Sequence, residues 1–439
     1  MKKVALISLG CAKNLVDSEV MLGYLQQNDF TLVTDTQEAD VIIVNTCGFI
    51  QPARDEADGI LTNVINIKER RKDIRIIAVG CYVERNSQEL KKAFPEVDVW
   101  MGVTDFDKIV PAIEGIPFKS STVCYLYDHK SPRILSTPSV WAYLKISEGC
   151  SHRCSFCAIP QIKGPYRSRS IFSIKEESLI LVSRGVKEIN LISQDSTYYG
   201  RDLGHSDGLI SLLRELIDVN RLEWIRILYG YPEEISDPLL EIMAEEKICS
   251  YLDIPFQHAD PNVIKAMRRG MDGRSALMLI EKIRKKLPDI AFRTSLIVGF
   301  PGEGRKEFAH LKNFIKAAQF DHLGVFIYSP EEGTDCLPLG SSVQDRIKQE
   351  RLEEIFEIQA NISYKNNSKY FGRKIDVLVE GRLQDRPDVF LSRARFQAPE
   401  VDGVVLLNTA SDTSNVVNSI QKVEITDTDV YDLQGKLNP

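Results

Sequence analysis

Three cysteines fall in C-x3-C-x2-C spacing within E-G-C-S-H-R-C-S-F-C-A-I-P (Glu148–Pro160): Cys150, Cys154 and Cys157. Cysteines used for packing are scattered, so three in one short loop point to ligation. A zinc knuckle needs a fourth Cys or His at regular spacing after Cys157, and none follows. His152 lies between two of the cysteines and is expected to face solvent. An odd set of three thiolates fits a 4Fe–4S cluster with one iron left open for a small molecule.

Three more cysteines share a different placement. Residues 1 to about 118 alternate short apolar runs with helical patterns. Val4–Leu9, Val41–Val44, Ile74–Val79 and Val97–Trp100 read as strands and Asn14–Gln27 as a helix. That alternation predicts a doubly wound parallel sheet with helices on both faces. Cys11, Cys47 and Cys81 each lie just past the carboxyl end of a strand, where open α/β sheets put their ligand crevice, and Gly10, Gly48 and Gly80 adjoin them. Three buried packing cysteines are the bland reading. Equivalent placement at three strand ends favours convergence on a second 4Fe–4S cluster.

These loops need elements to hold them. Phe118 to Ser139 is rich in proline and serine and reads as a connector, with Cys124 a free, partly buried thiol. Beyond it, six strands are expected at Trp141–Ile146, Glu188–Ile192, Trp224–Leu228, Tyr251–Ile254, Phe292–Val298 and Leu323–Tyr328. They suit an open, partial (β/α) barrel with its site at the carboxyl ends of the strands. The three-cysteine loop leaves the first strand at that end. The rim also carries Ser193–Asp195, Pro255–His258, Val298–Glu303 and Tyr328–Thr334. Strand-end position alone puts Gln194, Asp195 and Gly299 forward as contacts of a bound small molecule. Arg167 and Arg169 in R-S-R are either anion-binding or a solvated basic face. His258 reads as a hydrogen-bonded structural residue, and Cys249 and Cys336 as non-ligands.

A charged helical pattern from Ser342 to Tyr370 leads outward. From Phe371 short strands follow without helices, predicting a small all-β barrel. Residues 371–439 hold eight Lys/Arg against eleven Asp/Glu, the wrong balance for a general nucleic-acid binder. The whole chain of 439 residues has a net charge of −7, which likewise gives no broad attraction to nucleic acid. Its apolar N-terminal run stops after Leu9, too short for a signal peptide, and no stretch has the apolar length of a membrane span. Nine cysteines without a signal fit a reducing, cytoplasmic setting.

With both cysteine sets and the barrel in view, the chain resembles the methylthiotransferase family of radical S-adenosylmethionine (SAM) enzymes over essentially its full length. The motifs are L-G-C-A-K-N-L-V-D-S-E, N-T-C-G-F-I, V-G-C, E-G-C-S-H-R-C-S-F-C-A-I-P and I-V-G-F-P-G-E. The resemblance implies an N-terminal methylthiotransferase domain over 1–118, a linker over 119–139, a radical SAM domain over 140–370 and a TRAM domain over 371–439. It also implies two 4Fe–4S clusters. The cluster on Cys150, Cys154 and Cys157 would reduce bound SAM, and the cluster on Cys11, Cys47 and Cys81 would carry the sulfur. Gln194, Asp195, Gly299, Arg167 and Arg169 become candidate SAM or substrate contacts, and flavodoxin or ferredoxin a candidate electron donor. The two triads must then lie on facing surfaces.

One branch of the family modifies adenosine in transfer RNA. The other, the RimO branch, modifies an aspartate of the twelfth small-subunit ribosomal protein. C-A-K-N-L-V-D-S-E, S-Q-D-S-T-Y-Y-G (Ser193–Gly200), Y-S-P-E-E-G-T and A-P-E-V-D-G (Ala398–Gly403) are similar to the ribosomal-protein branch, and an acidic TRAM domain suits a basic protein partner. Gln397, Ser170 and Lys163 depart from that branch's usual aspartate, proline and arginine. The alternatives are the transfer-RNA branch and, in another class, a non-catalytic iron–sulfur electron carrier or RNA-binding scaffold.

Overall fold

The structure is a computed structural model that describes residues 1–339, 343–408 and 416–437. Ser342, with which the expected outgoing helix begins, lies outside the described residues.

The first unit is the expected parallel sheet. β1 (Lys3–Ser8), β2 (Thr31–Leu32), β3 (Val41–Thr46), β4 (Arg75–Gly80) and β5 (Val99–Met101) pair in the order β2-β1-β3-β4-β5. α1 (Ala12–Gln27), α2 (Gln51–Arg70), α3 (Cys81–Ala93) and α4 (Ile109–Glu114) cover it. Every residue of β3 is buried, because helices close both faces. The last strand starts two residues later than its apolar run predicts, since the Val97 N–H closes a turn onto the Phe94 carbonyl.

The second unit begins with β6 (Trp141–Lys145), then β7 (Ser147–Glu148), α5 (Ile159–Lys163), β8 (Arg167–Ser168), α6 (Ile171–Ser183), β9 (Glu188–Ile192) and α7 (Gly208–Ile217). It continues through β10 (Trp224–Ile227), α8 (Asp237–Ile242), β11 (Tyr251–Asp253), α9 (Pro261–Ala266), α10 (Gly273–Lys286), β12 (Ala291–Val298), α11 (Arg305–Ala318) and β13 (His322–Ile327). β6-β9-β10 and β11-β12-β13 are parallel triplets joined by the Ile225–Ile248 bridge, and together they make the open (β/α) barrel. β7 and β8 form an antiparallel ribbon that pairs Glu148 with Arg167. α12 (Asp345–Asn367) leads out of the barrel.

β14 (Lys374–Arg382), β15 (Val389–Ala394), β16 (Val405–Asn408), β17 (Ser419–Thr428) and β18 (Leu433–Leu437) close into a five-stranded barrel. The segment from Arg393 to Asp402 stoppers the amino-terminal mouth of the (β/α) barrel, and each of that barrel's six strands supplies at least one contact. Tyr143 donates to Glu400, Arg226 to the Arg395 carbonyl, and Tyr251 and Arg293 to Asp402. His322 reaches the Phe396 carbonyl, and Glu188 accepts from Arg393 at 2.5 Å.

Arg393 and Glu188 are both buried, so removing one partner strands charge away from water. Arg393→Met is expected to cost about 3 kcal/mol, read from urea unfolding by tryptophan fluorescence, with Trp141 lying beneath the guanidinium. The exposed Lys3–Glu38 pair is the control: Lys3→Ala should cost less than about 1 kcal/mol.

Candidate active site

Cys11, Cys47 and Cys81 stand at the carboxyl ends of β1, β3 and β4, which are neighbours in the sheet. Gly10 has φ +88°, and a Cβ there would lie 2.6 Å from the Cys47 Cβ, so only glycine lets the first two cysteine loops close together. Cys11 is exposed, and Cys47 and Cys81 are half-buried. Burial pushes the Cys47 thiol up, and the Cys11 charge adds to the shift. Burial also pushes Cys81 well up, against the pull of Lys163, with Cys11 and Cys47 raising it further.

The second set lies on a loop fixed at several points. Gly149 has φ +81° where a Cβ would meet the Pro165 carbonyl at 2.2 Å. The Cys150 N–H donates to the Gly164 carbonyl, and Ser155 donates from N–H and Oγ to the carbonyls of Met267 and Ala266 at the end of α9. Burial raises Cys150 to about 11 and Cys157 to about 12; neighbouring cysteine charges add to this and Arg269 opposes it.

Both sets are thus clustered thiols, a soft donor set suited to iron–sulfur ligation. Among the described residues no three His, Cys, Asp or Glu are gathered as ligands of one ion. A 4Fe–4S cluster makes no such demand, since each thiolate binds its own iron.

The two units that carry these sets meet at a charged seam. Asp17 of α1, Lys145 at the end of β6, Glu148 before the cysteine loop and Lys163 at the end of α5 are all buried and mutually paired. Burial pulls against the ionised form of Glu148, but Lys145 and Lys163 outweigh it and hold the carboxyl well below its usual range. The charges of both Glu148 and Cys81 act on Lys163. α3, which begins at Cys81, packs on α5. Nearby, Lys13 Nζ lies 3.8 Å from the Tyr229 ring centre, joining α1 to the rim after β10. A second clamp forms where buried Glu331, in Y-S-P-E-E-G-T, accepts from Arg54, from Arg85 and from the Gln51 N–H.

Several expected contacts are placed elsewhere. Arg169 is not on a solvated face; it is buried and donates to Glu177, Ser173 and the Lys145 carbonyl. Arg167 donates to the Cys124 carbonyl and lines a groove of about 560 Å³ beside the connector. The Asp195 carboxylate is committed to the N–H groups of Thr197 and Tyr198 and to His152 Nε2. A Cβ on Gly299 would lie 2.4 Å from Lys348 Cγ, so this glycine serves close packing of α12. Gln194 donates to Glu148, while its Oε1 is buried without a partner. His152 does not simply face solvent: its ring stacks on Tyr231 at 3.9 Å. His258 is fully buried and accepts from the Asp260 N–H. Cys124, Cys249 and Cys336 are free and buried.

Sequence reading missed Arg269, which lies over Tyr231 at 4.0 Å with Nη1 3.8 Å from Cys154 Sγ. It also missed the seam charges. The one available signal was Lys145 at the end of the apolar strand W-A-Y-L-K.

A three-cysteine loop on the carboxyl rim of an open (β/α) barrel defines a radical-SAM type of site, and residues 144–315 match the Radical SAM superfamily. Residues 3–102 match Uncharacterized protein family UPF0004, and 371–437 match the TRAM domain. The ribosomal protein uS12 methylthiotransferase RimO of Aquifex aeolicus is 45% identical, covering 99% of this chain and 97% of its own. That of Desulforamulus reducens is 44% identical with full coverage of both. The chain belongs to the RimO family of methylthiotransferases. The radical SAM methyltransferase TsrM of Kitasatospora setae, solved with cobalamin and a [4Fe-4S] cluster, shares the fold at TM-score 0.57 and 15% identity, over 76% of this chain and 77% of TsrM.

Two outcomes test this geometry. Removing the Glu331 carboxylate leaves Arg54 and Arg85 without their anion, so Glu331→Ala should ease local opening by about 3 kcal/mol, roughly a hundredfold faster exchange at the Gln51 amide. Hydrogen exchange with mass spectrometry reads it. Burial lifts the Asp253 carboxyl from 3.8 to about 6, against the pull of Arg293. The folded state then holds that proton more tightly, so the contribution is full below about pH 4 and lost as pH rises through about 6, on the order of 3 kcal/mol. Asp253→Asn should flatten that fall, seen by comparing urea midpoints of both proteins at pH 4 and pH 7.

Proposed function

We infer that the chain is a radical-SAM methylthiotransferase that places a methylthio group on the β-carbon of an aspartate in ribosomal protein uS12. The observation that carries this reading is a cysteine triad in each of two units joined at one charged seam, in a chain 42–45% identical to RimO relatives along its whole length. The β-carbon of an aspartate has no acidity useful at neutral pH, so no side-chain base prepares it. Bound at the two triads, 4Fe–4S clusters with SAM supply one-electron chemistry and an iron that carries the sulfur.

The residues of this chain bind, orient and shield. Cys150, Cys154 and Cys157 hold one cluster, and Cys11, Cys47 and Cys81 the other. Gln194 offers its unpartnered Oε1 to SAM at the rim. Asp195 acts through His152, which it orients against Tyr231, and Arg169 acts through the strand end that it braces. The seam charges and the Glu331 clamp fix the distance between the triads and keep the packed seam closed to water. The substrate is met in the cytoplasm, on the ribosomal subunit or before assembly, and a flavodoxin or ferredoxin supplies electrons. No helix among the described residues is long and apolar enough to cross a membrane.

The transfer-RNA reading lacks the basic surface that RNA binding calls for, given eleven acidic against eight basic residues over 371–439. An electron carrier has no use for two open triads on a (β/α) barrel and its partner unit. Mass spectrometry of uS12 from cells with and without the gene decides: loss of one methylthio group from an aspartate is expected, and an unchanged uS12 sinks the reading. Cys157→Ala and Cys81→Ala should each halve the iron per chain and abolish methylthiolation. Only Cys81→Ala should still cleave SAM under reduction, followed by chromatography of the nucleoside product.

A further inference from the structure

Lys13 sits two residues beyond Cys11, with its ammonium against the Tyr229 ring. Cations nearby have carboxylate partners: Lys145 and Lys163 share Asp17 and Glu148, and Arg293 holds Asp402. Among the described residues no carboxylate lies within salt-bridge distance of Lys13. The Tyr229 hydroxyl and the Cys11 thiol act on it most strongly, and the carboxylates whose charge reaches it have other partners. Glu148 is taken by Lys145 and Gln194, and Asp253 accepts the Tyr229 N–H while facing Arg293. Tyr229 itself has φ +62°, a strained conformation for a residue with a side chain, and such strain persists where the surroundings over-determine it. Cys11 is exposed and Lys13 half-buried. An ammonium oriented by an aromatic face and without a counter-ion is a site for an anion.

We propose that Lys13 grips the side-chain carboxylate of the substrate aspartate and so presents its β-carbon beside the Cys11 set. This rests on the uS12 reading above. The β-carbon is bonded directly to the carboxylate carbon, so fixing the carboxylate fixes the reacting atom one bond away. Lys13 thereby makes the site selective for an anionic side chain over its amide isostere, which has the same shape and no charge.

The test uses the anaerobically reconstituted full chain and two labelled uS12 peptides, one with the target aspartate and one with asparagine in its place. Fluorescence anisotropy should show the wild type preferring the aspartate peptide by about tenfold to a hundredfold, the range of a hydrogen bond to a charged group. Lys13→Gln should erase that preference while leaving asparagine-peptide affinity and iron content unchanged, and Lys13→Arg should retain it. A Lys13→Gln protein that still prefers the aspartate peptide overturns the assignment. So does one that loses half its iron, because Lys13 would then serve the cysteine set. A wild type that binds neither peptide overturns the uS12 reading, and this proposal with it.

Discussion

Two lysines and two carboxylates, withdrawn from water together, decide where everything else in this protein sits. Each of Asp17, Lys145, Glu148 and Lys163 would cost several kcal/mol to bury alone, and the four are tolerable only as a neutral set. Their origins matter more than their energy. Asp17 belongs to the helix that starts beside Cys11, while Glu148 and Lys163 bracket the loop of Cys150, Cys154 and Cys157. Satisfying these charges therefore fixes the two cysteine loops relative to each other. No apolar contact would be so particular, since hydrophobic surfaces slide at little cost whereas an ion pair displaced by a residue is an unpaired charge.

Around that constraint the remaining polar contacts fall into place. Gln194 completes the shell of Glu148, and Arg133 from the connector joins Glu19 of α1 to Glu177 of α6. Glu331 repeats the device on the other side of the seam with the signs reversed, one carboxylate gathering two arginines. The proposed reaction demands this stiffness, because it would draw on a group held by each of the two units.

What could be read in the chain was what is local or periodic. The C-x3-C-x2-C spacing lies within one loop, and the strand-end positions of Cys11, Cys47 and Cys81 follow from the alternation of a parallel sheet, which brings like ends to one edge. Long-range pairing of charge was not legible. Nothing near R-S-R says that Arg169 is buried against Glu177, and nothing near Gly299 says that its open side receives Lys348. His152 and Asp195 are forty-three residues apart, so their contact leaves no mark on either segment. Phe118–Ser139 reads as a simple connector, yet it carries the buried Cys124, Tyr127 and Arg133, because isolated anchors have no period to detect.

The stopper formed by Arg393–Asp402 bears on how the protein is made. A chain leaving the ribosome folds its amino-terminal units first, so both cysteine loops are complete before the stopper has been synthesised. Until then Glu188, Arg226 and Arg293 line an open lumen without their carboxy-terminal partners. A chain cut short before Arg393 forfeits the floor of its catalytic barrel along with the appendage.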